Sequence, residues 1–223
     1  MTDRLMQGSA STAVAPLPRI VRNTYLLLSM VMGVAAIGAF VGLRAGIPFS
    51  FGMWLVFMAV FIGGPFAINA ARQSDAAIWL TFAWAGLVGF LLGPLIAAYL
   101  SMPGGTTIVT NALGGTAVLF VALSAIVLTT RRDFSFLGSF LMAGTIVALV
   151  GIVAALVFQL PLLAVTLSGF IVLLMSGMIL YDTSRMIHDG NANPVHITVA
   201  LFGNIVVLFA NLLSLLSFFS GED

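Results

Sequence analysis

The stretch TYLLLSMVMGVAAIGAFVGLRAG, residues 24–46, runs from Thr24 to Leu43 without a charge and is bounded by Arg22 and Arg44. A helix of about twenty residues is about 30 Å long, the thickness of a bilayer's hydrocarbon core. The stretch lacks the strict alternation of a barrel strand, so it reads as a transmembrane helix. Six more runs of similar length and character follow, giving seven in all: 24–46, 47–70, 77–100, 106–130, 135–157, 161–183 and 196–219. Hydrophobic residues make up 61% of the 223 and charged residues only 7%, against about 25% charged in a soluble domain. A chain with so little polar surface takes lipid as its solvent. The sequence therefore predicts an all-α membrane protein, a seven-helix bundle over residues 22–223, with no room for a separate soluble domain.

The few charges set an orientation. All eight basic residues are arginines. Arg4, Arg19 and Arg22 precede the first run, Arg72 lies between the second and third, Arg131 and Arg132 between the fourth and fifth, and Arg185 between the sixth and seventh. The other side holds Arg44 alone, and the sequence closes on Glu222 and Asp223. Seven against one is a strong positive-inside signal, which predicts a cytoplasmic N-terminus and a periplasmic C-terminus. Residues 1–21 are polar and rich in Ser, Ala and Pro. They read as a flexible cytoplasmic tail rather than a signal peptide, because the apolar run begins only after Arg22 and is too long for an h-region.

Breaks between runs carry turn chemistry: Arg44, Gly46 and Pro48, the 101–105 stretch SMPGG, and Phe158 to Pro161. Gly38, Gly42 and Gly46, and separately Gly89 and Gly93, recur every four residues. Such ridges let helix backbones approach closely, either inside a bundle or, less commonly, at a dimer seam.

Polar groups inside the runs are scarce, and an intramembrane polar group is a functional candidate by default. Asp182 is the only acid within a run. It is a candidate ion or proton site, or else a local i+3 partner of Arg185. Asn204, Asn211 and Ser214 share one face of the last helix, a polar stripe that either lines a water path or bonds to neighbouring helices. His188, Asp189 and His196 flank the last loop, but their spacing matches no closed metal site.

The remaining inventory excludes whole classes of function. There is no Cys, hence no disulfide and no thiolate chemistry. The His-Glu-x-x-His and Gly-x-Ser-x-Gly motifs are missing, and an aspartyl dyad needs a second membrane acid. The chain therefore reads as a non-enzyme without a cofactor. A net charge of +1 gives no footprint for nucleic acid.

Several segments are more specific than hydropathy requires: RNTYLLLS (22–29), LGPLIAAYL (92–100), NALGGTAVLF (111–120), LTTRRDFSFLGSFLMAG (128–144), FQLPLLAVTLSG (158–169) and ILYDTSRMIHDG (179–190). In this order and spacing the chain resembles the bacterial branch of the Bax inhibitor (transmembrane Bax inhibitor motif) family. The 128–144 and 179–190 segments are the most specific. The resemblance implies a seven-helix inner-membrane protein that associates with the FtsH-type AAA protease and its accessory membrane complex. Such a protein restrains the protease and is itself a slow substrate, entered through its N-terminal tail. It also marks Arg131, Arg132 and Asp133 as part of a family segment on the cytoplasmic side.

Other family members are proton-sensitive calcium leak channels, the alternative function that the resemblance implies. There, an acid at the position of Asp182 pairs with a second Asp in the last helix. That second position falls on or near Asn204 in this chain. An amide does not titrate, and a carboxylate with an amide is a poor calcium site.

Overall fold

The computed structural model describes residues 19–71, 74, 76–189 and 192–221. These residues form seven helices: α1 (Arg19–Arg44), α2 (Phe51–Ala70), α3 (Ala76–Leu100), α4 (Gly105–Thr130), α5 (Leu137–Phe158), α6 (Pro161–His188) and α7 (Pro194–Ser220). All seven are long and apolar enough to cross a membrane. Arg4, Arg72, Glu222, Asp223 and the tail up to residue 18 lie outside the described residues.

Local chemistry sets the helix ends, and it shifts several expected boundaries. α1 begins at Arg19, so residues 19–21 belong to the helix rather than to the tail. It stops at Arg44, and Gly46 takes a positive φ of 65° in the turn that follows. That removes Gly46 from the expected glycine ridge. α2 starts at Phe51 rather than residue 47, because Pro48 disfavours a helical residue before it and Ser50 caps the helix by accepting from the Met53 amide. α5 starts two residues later than expected, after a turn at Ser135 and Phe136. α7 starts two residues earlier, at Pro194, with the Asn193 side chain accepting from the Val195 amide at 2.8 Å. The largest shift is in α6, which continues past residue 183 to His188. Asp182 is therefore six residues, or about 9 Å, inside the helix end.

α7 is the central element, packing on α1, α3, α4 and α6. Its buried residues include Phe202, Ile205, Leu208 and Leu213. α2 and α5 are peripheral: α2 packs mainly on α3, and α5 on α6. Trp84 of α3 fastens α2 to the core. Its Nε1 donates to the Val60 carbonyl at 3.0 Å, and its ring meets Phe202 edge-on with centroids 5.2 Å apart. Gly64 leaves room for that ring: a Cβ there would sit 2.0 Å from Trp84 Cδ1.

The closest helix pair is α1 with α3. A Cβ added to Gly38 would lie 2.2 Å from the Gly86 carbonyl oxygen, one on Gly42 2.0 Å from that of Phe90, and one on Gly89 2.0 Å from that of Ala35. The four-residue glycine spacing is thus used inside the bundle. Pro94 sharpens the point. Having no N–H, it leaves the Phe90 carbonyl without its usual i+4 donor, and it is this oxygen that Gly42 packs against.

Gly42→Ala and Gly89→Ala are each expected to lower unfolding stability in detergent by about 1–3 kcal/mol, since their neighbours are backbone atoms that do not rotate away. Gly33→Ala, where an added Cβ meets nothing within 4 Å, is expected to be neutral or slightly stabilising. Equal losses at all three positions in a thermal melt would contradict the seam.

Candidate functional site

Residues 179–188 of the 179–190 segment form the last turns of α6. Ile179, Asp182 and Met186 fall on one face at i, i+3 and i+7, and all three are buried. Asp182 is thereby carried into the core, with 8% of its surface exposed. A buried carboxylate needs donors, and its donor comes from α7: Asn204 Nδ2 gives a 2.8 Å hydrogen bond to Asp182 Oδ2. The two helices are bridged again by Ser168 Oγ, which donates to Ser214 Oγ at 3.2 Å. Two polar bonds therefore cross the α6–α7 contact.

Arg185 makes no salt bridge with Asp182 and acts on it only as a nearby charge. Its guanidinium lies 3.8 Å from Asp189 and 5.7 Å from the centroid of the Tyr181 ring. The longer α6 explains this. Arg185 stands in the exposed last turn, where an i+4 acid is within reach, whereas Asp182 faces inward. The α7 stripe also divides: Asn204 and Ser214 reach α6, but Asn211 Nδ2 donates to the Val207 carbonyl of its own helix at 2.8 Å.

His188 and His196 do not converge on one acid: the Ser184 hydroxyl lies 3.4 Å from both His188 Nδ1 and Asp133 Oδ1, whereas His196 stands at the start of α7. Among the described residues no three His, Asp or Glu side chains converge on a position that would hold a metal. His196 lines a cleft of about 430 Å³ together with Phe61, Trp84, Met175 and Asn204.

His188 belongs to a contact that the pattern of residues gave little sign of. The 131–136 loop folds onto the end of α6, so the two most specific sequence segments touch. Ser184, fully buried, accepts from the Phe134 amide at 2.9 Å. Nδ1 of His188 lies 3.0 Å from the Ser184 carbonyl and Nε2 lies 3.1 Å from that of Arg131. Arg131 takes a left-handed φ of 50° to close α4. Asp133 accepts from the Ser135 amide at 2.8 Å and from the Ser135 hydroxyl. These two donors hold the exposed Asp133 carboxyl below the usual carboxylate range. Arg131, Arg132 and Asp133 thus form a shaped loop with exposed side chains. The one sequence signal for the latch was Ser184, a small polar residue beside the only intramembrane acid.

A seven-helix membrane bundle with a buried Asp–amide pair joining its last two helices defines the class. The family model described as "Inhibitor of apoptosis-promoting Bax1" matches residues 17–221, and the chain belongs to that family. Its relatives include the Modulator of FtsH protease YccA of Escherichia coli K12, 39% identical over 221 residues, covering 99% of this chain and 100% of that one. The Inner membrane protein YccA of a second Escherichia coli strain matches to the same extent. An uncharacterized protein of Pseudomonas aeruginosa is 37% identical over 92% of this chain and 91% of its own length. The chain is a multi-pass inner-membrane protein.

Asn204→Leu would leave a buried carboxylate without its donor and is expected to cost about 1–3 kcal/mol. Replacing both partners, Asp182→Leu with Asn204→Leu, is expected to cost less than the sum of the two single changes, with a coupling of about 0.5–3 kcal/mol. Strictly additive losses in detergent unfolding would show that the bond does not couple the helices.

Proposed function

We propose that this chain is a non-enzymatic modulator of an FtsH-type membrane protease. It binds the protease and its accessory membrane complex and restrains their attack on other membrane proteins. The observation that carries the proposal is 39% identity, end to end, with a protein named as a modulator of FtsH. Identity over 99% of the chain covers the membrane bundle as well as the segment before it.

The site is in keeping with this reading. A proton-shared pair of carboxylates requires two acids, and the partner of Asp182 is the amide of Asn204. The bond ties α6 to α7 and gives the bundle a fixed shape against which a partner can dock. The arginine distribution puts the N-terminus and the 131–136 loop on the cytoplasmic side. In this proposal residues 1–18, ahead of α1, are the tail offered to the protease, and the helices dock laterally in the membrane.

Capture of the full-length chain from membranes in mild detergent is expected to enrich the FtsH-type protease over a control membrane protein of similar size. Deleting residues 1–16 is expected to lengthen the protein's lifetime in growing cells. A capture that recovers other inner-membrane complexes but no protease would count against the proposal. Calcium flux through liposomes that disappears in Asp182→Asn would favour the leak-channel alternative instead.

A further inference from the structure

α1 and α4 make no close backbone contact among the described residues; both pack on α7 instead, and the Tyr25 ring of α1 reaches across to Phe120 of α4 with centroids 6.1 Å apart. The gap between them is a crevice of about 390 Å³, walled by Val21, Tyr25 and Leu26 of α1 and Leu128 of α4, with the exposed Arg22 completing its lining. The walls are apolar, and the cations collect at one end. Arg19 and Arg22 stand in the first turn of α1, and Arg131 and Arg132 directly follow α4. All four arginines are exposed. None lies within salt-bridge distance of an acid among the described residues. Asp133, the acid of this loop, is occupied by Ser135.

We infer that this crevice is a binding site for an anionic phospholipid. One acyl chain would lie against Tyr25, Leu26 and Leu128, and the phosphate would meet Arg22 and the arginines that end both walls. The two halves of the site select this occupant together. A free phosphate finds the cations but has no use for the apolar walls. A hydrocarbon chain fills the walls but leaves the arginines without a counter-charge. A lipid with net negative charge matches both, and basic pockets between helices at a membrane boundary are a known setting for such headgroups. Arg is also suited to phosphate, because its planar fork of donors pairs with two oxygens at once.

The test is native mass spectrometry of the purified full-length chain, titrated in detergent with phosphatidylglycerol or phosphatidylcholine of matched chains. The expected result is a phosphatidylglycerol adduct held at several-fold lower lipid concentration. Arg22→Gln is expected to weaken that adduct about fivefold, the effect of one basic residue at a membrane surface. Leu128→Trp, which fills the crevice and leaves the charges in place, is expected to weaken it as well. Arg44→Gln, at the opposite end of α1, is expected to leave it unchanged. Equal retention of the two lipids, displacement by excess inorganic phosphate, or an Arg22→Gln variant indistinguishable from Arg44→Gln would each overturn the proposal.

Discussion

Inside a bilayer no water is at hand to satisfy a backbone polar group or a buried charge, so each is driven to find its partner within the protein. That constraint organises this bundle at three levels. Pro94 strips the Phe90 carbonyl of its helical donor, and Gly42 presses against it, so α1 and α3 meet backbone to backbone. Trp84 sends its indole N–H to the Val60 carbonyl, one residue short of the acceptor that Pro65 leaves without a donor, and this holds the peripheral α2. Asp182 takes the Asn204 amide, which fixes α6 against the central α7. Each contact places a small or polar residue where lipid would otherwise have to be, and together they leave apolar side chains facing outward.

The same constraint separates the two functions that the family suggests. A carboxylate shared with a second carboxylate has a titratable state to switch, whereas a carboxylate held by an amide has only one of its two groups able to change charge. The bond here is therefore better suited to hold a shape than to alternate between two. The shape extends to the 131–136 loop, seated on Ser184 and His188, which presents Arg131 and Arg132 at the end of the bundle where most arginines lie. A rigid bundle with an ordered basic loop is a sensible surface for a modulator, since little ordering entropy remains to be lost when a partner binds.

Much of this was legible in the residues. Seven long apolar runs gave seven helices, because length and apolarity decide which segments span a bilayer. The family resemblance also placed the position facing Asp182 on or near Asn204, and the two side chains are hydrogen-bonded. The helix ends were less so. α6 was expected to stop at residue 183, but nothing in TSRMIH breaks a helix, and its extension lets Arg185 pair with Asp189. α2 was expected to begin at residue 47, and the Ser50 cap set it four residues later. The docking of Phe134 on Ser184 joins residues fifty positions apart. No local periodicity encodes such a contact, because it follows from how α4, α5 and α6 pack.

The central claim is that the folded bundle restrains an FtsH-type protease. Its most direct test is the rate at which the purified protease degrades a model membrane substrate in proteoliposomes, measured with increasing amounts of this chain. Degradation is expected to slow in a saturable way as the chain is added. A seven-helix membrane protein of unrelated family is expected to have no such effect at the same protein-to-lipid ratio. A rate that stays unchanged up to excess of this chain, or that falls equally with the unrelated protein, would contradict it.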